Sequence, residues 1–121
     1  MANTFKVVTF AAEPSSAGTP YVVYTAGSGV TTVVLGLILT NINTAQVTAE
    51  VELVSDTGNR GGSNDVTNGT AFLAKDIPIP VGSSVELLSG NKVVLEATDQ
   101  IRIDCSVADK LSGSLSIMEI T

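Results

Sequence analysis

Histidine and tryptophan are absent from this sequence, and cysteine occurs once. Without histidine there is no Ser–His–Asp or Cys–His arrangement, and the commonest zinc ligand is missing. A single cysteine, Cys105, can form neither an internal disulfide nor a thiolate zinc site. It lies at period two with Ile101, Ile103 and Val107, which predicts a buried structural thiol. We therefore expect a protein that is not an enzyme and that has no cofactor.

Charge is also scarce, at 15% of the 121 residues, and 12 acidic against 6 basic side chains give a net charge of −6. Nucleic acid is not an expected partner, because the six cations are scattered and form no basic footprint. The longest apolar-rich run, Val33 to Leu39, is too short to span a bilayer. The N-terminus lacks the long apolar run of a secretory signal, so we expect no membrane partner either.

Aliphatic and β-branched residues are abundant, and period-two alternation dominates the chain. No segment has a convincing helical period with caps. Short strands separated by turns predict an all-β fold: one domain over residues 1–121, an antiparallel β-sandwich, jelly-roll or immunoglobulin-like, of eight or nine short strands. The predicted strands are Thr4–Ala11, Pro20–Ala26, Thr31–Asn41, Gln46–Val54, Ala71–Ile77, Ser84–Leu88, Lys92–Glu96, Gln100–Val107 and Leu111–Ile120.

Residues 56–70, DTGNRGGSNDVTNGT, form the longest stretch without strand periodicity, and we predict a long exposed loop there. Its Asp and Asn side chains offer oxygen ligands, but their spacing matches no calcium motif, so we predict no metal site. Glu50 and Glu52 share one strand face and could act as acid and base. Exposed residues that favour solubility are the preferred interpretation of this pair.

The segment KDIPIPVGSS, residues 75–84, alternates aliphatic residues with prolines. Proline donates no backbone hydrogen bond, which excludes a central strand. The segment is therefore predicted to be an edge strand or a crossing between sheets, in which Ile77, Ile79 and Val81 pack into the core.

That segment also carries a family resemblance. LAKDIPIPVGSSVELLSGNKVVLEATDQIRI and the closing SLSIMEIT resemble small virion structural proteins of tailed phages, especially the contractile-tailed phages of marine cyanobacteria. The matching positions are Asp76–Ser83, Glu86–Asp99 and Ile117–Thr121, and the opening MANTFKVVTF and TTVVLGLILTNIN look similar as well. The resemblance covers nearly the whole chain, but its motifs are structural and supply no catalytic positions. It implies a virion component that is made in the host cytoplasm.

Three functions follow as hypotheses. The first is a capsid decoration, or cement, protein at the capsid surface, which binds the outer capsid lattice and bridges major capsid proteins. The resemblance implies a β-rich trimer, so the expected partners are the major capsid protein and neighbouring copies. The second is a neck, tail or baseplate subunit of the same virion. The third is a host-attachment or glycan-binding module that uses the 56–70 loop, although Tyr21 and Tyr24 are predicted on opposite faces of one strand and so form no stacking platform.

The chain ends and the long loop supply the predicted contact residues. The first residues are expected to act as an arm or an added strand, although ordinary core packing is the stronger expectation for Phe5 and Val7. The last strand becomes apolar on both faces at Met118 and Ile120, which indicates a subunit boundary. The predicted contacts are Asn3, Thr4, Phe5, Val7, Asn59, Arg60, Asn64, Met118, Ile120 and Thr121.

Overall fold

A computed structural model describes residues 2–55, 69–88, 90 and 92–121. These residues form strands and turns and contain no helix. All nine predicted strands are confirmed, with ends that differ by at most two residues. The predicted loop, with Asn59, Arg60 and Asn64, lies outside the described residues except for Gly69 and Thr70. The strands are β1 (Asn3–Glu13), β2 (Tyr21–Thr25), β3 (Thr31–Asn41), β4 (Val47–Val54), β5 (Thr70–Ile79), β6 (Ser84–Leu87), β7 (Val93–Leu95), β8 (Gln100–Cys105) and β9 (Leu111–Ile120).

Two antiparallel sheets pack face to face, as the sequence predicts for a β-sandwich. The five-stranded sheet has the order β1-β9-β3-β6, and its fifth strand, β7, also pairs with β3. β6 and β7 follow one another along the same edge, because β6 pairs with 37–40 of β3 and β7 pairs with 32–34. The four-stranded sheet has the order β2-β8-β4-β5.

The pairing scheme is that of a jelly roll. When the short β7 is set aside, the first of the eight remaining strands pairs with the last, the second with the seventh, the third with the sixth and the fourth with the fifth. This nested pairing folds one long antiparallel ribbon into two sheets, which distinguishes a jelly roll from an immunoglobulin-like sandwich.

The core lies between the inner faces of the two sheets. The inward positions of β9 and β3 contribute fully buried leucines, isoleucines and valines, and those of β4 and β8 meet them from the other side. Each such side chain stabilises the fold by about 1.5–3 kcal/mol relative to exposure to water. Cys105 is buried in this core, as predicted.

The proline segment serves as both predicted elements, an edge strand and a crossing. β5 is the edge strand of the four-stranded sheet, and Pro78 lies opposite Thr48. Ile79 is fully buried, and Ile77 packs against the core. The chain then turns into the other sheet.

The prediction that Val81 packs into the core is wrong, because its side chain is 57% exposed. Val81 lies at the tip of a tight turn in which the Ser83 amide donates to the Pro80 carbonyl over 3.1 Å. Gly82 follows with a φ of +72°, which glycine adopts without strain.

The placement of the two tyrosines also differs from prediction. Tyr21 and Tyr24 both pack against the core, not on opposite faces. The register of β2 shifts between Val22 and Tyr24, and one extra residue reverses the alternation of the residues that follow.

Candidate interaction surface

Four apolar side chains lie side by side on the outer face of the five-stranded sheet. Phe5 is opposite Met118, Met118 is opposite Val33, and Val33 is opposite Val94. Direct cross-strand partners point to the same face of a sheet. That face is the outer one, because the chain neighbours Ile117 and Val34 are buried. We call these four residues the apolar row.

The two ends of the apolar row are the most exposed. Phe5 is 71% exposed and Val94 is 56% exposed, whereas Met118 and Val33 are half-buried between them. Val7 and Ile38 extend the exposed apolar surface along the same face. A contiguous exposed apolar patch of this kind is typical of an interaction site.

A groove lies beside the apolar row. The register of β3 shifts between Val34 and Gly36, and Gly36 faces Ser116. The groove has a volume of about 260 Å³, and its walls include Leu35, Ile38, Ser114 and Glu86. A Cβ atom at Gly36 would meet nothing closer than the Leu87 carbonyl oxygen at 4.0 Å. The groove therefore depends on the missing side chain at residue 36.

The face is almost free of charge. Among the described outward positions that the strand register aligns, Glu86 of β6 is the only charged residue. The others are serine, threonine, asparagine, glycine or apolar. We call this outer surface of the five-stranded sheet the apolar face.

The structure brings the predicted terminal residues together on or beside this face. Asn3, Phe5 and Val7 alternate outward on β1, next to Met118 and Ile120 on β9. Thr4 is also exposed, although it pairs with Glu119 and therefore lies on the other side of β1 from Phe5. Beyond them, Thr121 and Ala2 exchange backbone hydrogen bonds of 3.0 and 3.2 Å. Both chain ends thus belong to one surface.

Two expectations for the N-terminal residues are wrong. Core packing of Phe5 and Val7 is contradicted by their exposure. Residues 3–7 do not form a free arm either, because they are the first half of β1 and pair with β9 of the same chain.

Sequence reasoning missed Val33, Val94 and Ile38 as surface residues. A signal was present in β3, TTVVLGLILTN, where apolar residues occupy consecutive positions instead of alternating. In a strand this places apolar side chains on both faces, which is the same inference that identified Met118 and Ile120.

A polar cluster lies directly behind the apolar row and fixes the strands that carry it. The Lys6 ammonium is 2.7 Å from Glu119 Oε1, and the Tyr24 hydroxyl donates to Glu119 Oε2 over 2.6 Å. The Tyr24 and Thr32 hydroxyls are 2.8 Å apart. Lys6, Glu119 and Thr32 come from β1, β9 and β3, so Tyr24 of β2 ties the other sheet to all three strands.

This cluster changes the acidity of two of its members. The Lys6 ammonium, followed by the Tyr24 hydroxyl, holds the pKa of Glu119 below its ordinary value. Burial, followed by the hydrogen bond to Glu119, raises the pKa of Tyr24. Glu119 is therefore charged and Tyr24 neutral at neutral pH, the states in which the hydroxyl donates to the carboxylate.

The outer face of the four-stranded sheet has the opposite character. Lys75 Nζ is 2.7 Å from Glu50 Oε1, and Arg102 Nη2 is 3.4 Å from Glu52 Oε1. The glutamates are not freely exposed solubility residues, because their side chains are only 22% and 12% exposed. Each lies beside a cation, and Glu50 also lines a hollow on this face.

Asp104 lies opposite Glu50 and helps to line a hollow of about 350 Å³ on that face. Its carboxylate accepts hydrogen bonds from the Gly18 and Cys105 amides over 3.1 and 2.8 Å. In the part of the chain that the structure describes, no three acidic, cysteine or histidine side chains are grouped to hold a metal ion.

Among the described residues, no helix is long and apolar enough to cross a membrane. No protein-family model matches the sequence, and no curated protein matches it. The functional assignment therefore depends on the chemistry of the two outer faces, of which one is charged and the other carries the apolar row.

Proposed function

We propose that this chain is a virion structural protein of a tailed phage, and specifically a decoration subunit that binds the outer capsid lattice and bridges major capsid proteins. The observation that carries the proposal is the apolar face, an almost uncharged contact surface to which both chain ends contribute. The sequence resemblance supplies the class of assembly. The jelly roll is common in viral capsid domains, which supports the proposal by analogy only, since one fold hosts many functions.

The function is proposed to reside in contacts. Burial of apolar surface contributes roughly 25 cal/mol per Å², and the apolar face provides such surface for contact with a neighbouring copy. The second edge of β1 offers another contact, because it pairs with no strand in the described part of the chain. β1 is 11 residues long, long enough for an extended segment of the capsid protein to add as a further strand.

Purified virions test the location. If the chain decorates the capsid, a label on it covers the whole head in electron micrographs, and its copy number approaches that of the capsid lattice. Signal confined to one vertex or to the tail would replace decoration by a neck, tail or baseplate role. Absence of the chain from purified particles would contradict any virion role.

A photo-crosslinking residue tests the β1 edge in intact particles. Placed at Thr4, which is exposed on β1, it should capture the major capsid protein. The same residue placed at Val81, which is exposed in the turn after β5, is the matched control and should not. Equal capture from both positions would contradict the edge contact.

A further inference from the structure

We propose that a second copy of this chain covers the apolar face, docked about a two-fold axis so that Phe5 of each copy enters the Gly36 groove of the other. This inference deepens the proposed function and rests on it for the biological setting in which copies meet, but it replaces the trimer that the resemblance implies by a two-fold pair. The geometry of the dimer does not depend on the virion.

Phe5 is the largest exposed side chain of the apolar row, and the groove offers it room. The Phe5 ring is 71% exposed and projects from an edge strand. The groove is open to solvent, has a volume of about 260 Å³, and carries Ser114, Ser116 and Glu86 beside its aliphatic walls. Gly36, Leu35 and Ile38 present backbone and aliphatic surface to an incoming ring.

The positions of Phe5 and the groove permit both contacts at once. Phe5 is on β1 and Gly36 is on β3, with β9 between them, and Gly36 is level with Val7, two residues along β1 from Phe5. They are therefore about 10 Å apart across the strands and about 7 Å apart along them. A two-fold axis that lies between the two faces, midway between the Phe5 ring and the groove, exchanges the two positions. Each copy then inserts its ring into the other, which is an isologous interface that closes at two subunits.

Charge favours the same occupant. Each copy carries a net charge of −6, so two copies repel at long range, and contact through surfaces with few acidic groups adds least to that repulsion. The outer face of the four-stranded sheet presents Glu50, Asp76 and Asp104. Among the described outward positions in register, the apolar face has Glu86 as its one acidic residue, which favours the apolar face for contact between two acidic copies.

The size of the patch fits a stable pair. A standard interface buries about 800 Å² on each partner, and slightly more than half of that area is apolar. Phe5, Val7 and Val94 are each more than half exposed on this face, and Ile38 is 41% exposed; an aromatic ring alone buries about 150–250 Å² when it is covered. A face-to-face pair would remove this area from water.

Sedimentation velocity and light scattering on the purified full chain test the proposal. The wild-type chain should form dimers at micromolar concentration. Phe5→Ser removes the ring, and Gly36→Thr places a hydroxyl and a methyl group in the groove. Each should weaken dimerisation on the order of tenfold or more. Phe72→Ser is the matched control, because Phe72 is 51% exposed on the charged outer face, and it should leave the dimer unchanged.

Mixing the two defective variants gives the sharper test. The Phe5→Ser chain keeps its groove and the Gly36→Thr chain keeps its ring, so a mixed pair regains one of the two contacts. The mixture should therefore associate more tightly than either variant alone. Non-specific association through an apolar surface predicts no such gain in affinity. A mixture that associates no more tightly than the separate variants would overturn the reciprocal contact.

Other outcomes are equally decisive. A wild-type chain that stays monomeric at its highest soluble concentration, or that forms trimers, would overturn the two-fold pair. Dimers weakened as much by Phe72→Ser as by Phe5→Ser would do so as well. None of these results bears on the labelling of virions, so the dimer and the proposed function can fail separately.

Discussion

Asn41 is a buried polar residue at the end of β3, and its side chain organises the chain around it. Its amide nitrogen donates to the Ala45 and Ile79 carbonyls, each over 2.9 Å. Its amide oxygen accepts from the Asn43 backbone over 2.7 Å. One side chain thus shapes the turn between β3 and β4 and ties it to the end of β5 in the opposite sheet.

We expect Asn41→Ala to lower the free energy of unfolding by roughly 2–4 kcal/mol, because the Ile79 carbonyl loses its partner in the core and two partly buried backbone groups lose theirs. Urea denaturation followed by circular dichroism measures the loss. Asn43→Ala is the control, since Asn43 takes part through its backbone, and it should change stability by less than about 1 kcal/mol. Equal losses for the two variants would contradict the role of the Asn41 side chain.

Phe5 illustrates what residue alternation leaves undecided. In β1, NTFKVVTFAAE, apolar residues occur at both the odd and the even positions of the strand. A simple prediction therefore places Phe5 and Val7 inward and Lys6 outward. The structure does the reverse, because Phe10 is anchored in the core and fixes the phase. The inward Lys6 is satisfied by Glu119, a partner more than a hundred residues away that local sequence cannot reveal.

At the scale of strands, the cluster around Glu119 couples stability to pH. The pKa of Glu119 lies below its ordinary value of 4.5, so the folded protein keeps this carboxylate charged at a pH where the unfolded chain binds a proton. Its contribution is fully present above the unfolded pKa and is lost as the pH falls through the folded pKa.

We therefore expect Glu119→Gln to destabilise the protein at pH 7 and to matter progressively less below pH 4.5. Urea denaturation of both chains at several pH values gives the difference directly. Glu86→Gln, on an exposed residue of β6, is the control and should have little effect at any pH. A stability difference between wild type and Glu119→Gln that stays constant down to pH 3 would contradict the ionic role of Glu119.

The positions of the strands could be predicted from sequence, whereas their pairing could not. Alternation and turn residues located all nine strands, including the proline-interrupted β5. Neither signal says which strands are neighbours, because pairing in a jelly roll joins segments as distant as β1 and β9. The apolar row therefore emerged only when the register placed Phe5, Met118, Val33 and Val94 on one line.

At the scale of the molecule, the two outer faces differ in charge and polarity. Ion pairs and acidic groups lie over the four-stranded sheet, whereas the five-stranded sheet presents an apolar row bordered by serine and threonine. The two chain ends meet beside this row. The sequence predicted contacts at the chain ends, but it placed neither Val94 nor the Gly36 groove beside them, because both depend on long-range pairing with β3.

This division predicts how association responds to salt. Two copies with a net charge of −6 repel one another at long range, and the Debye length falls from about 30 Å at 0.01 M salt to about 10 Å at 0.1 M. A dimer that meets through an uncharged face has no opposing attraction to lose, so its dissociation constant should fall as sodium chloride is raised over this range.

Sedimentation equilibrium at several salt concentrations measures the trend. Weaker association at higher salt would instead indicate an interface of opposite charges, such as Lys75 and Arg102 against acidic groups, and would move the contact to the other sheet.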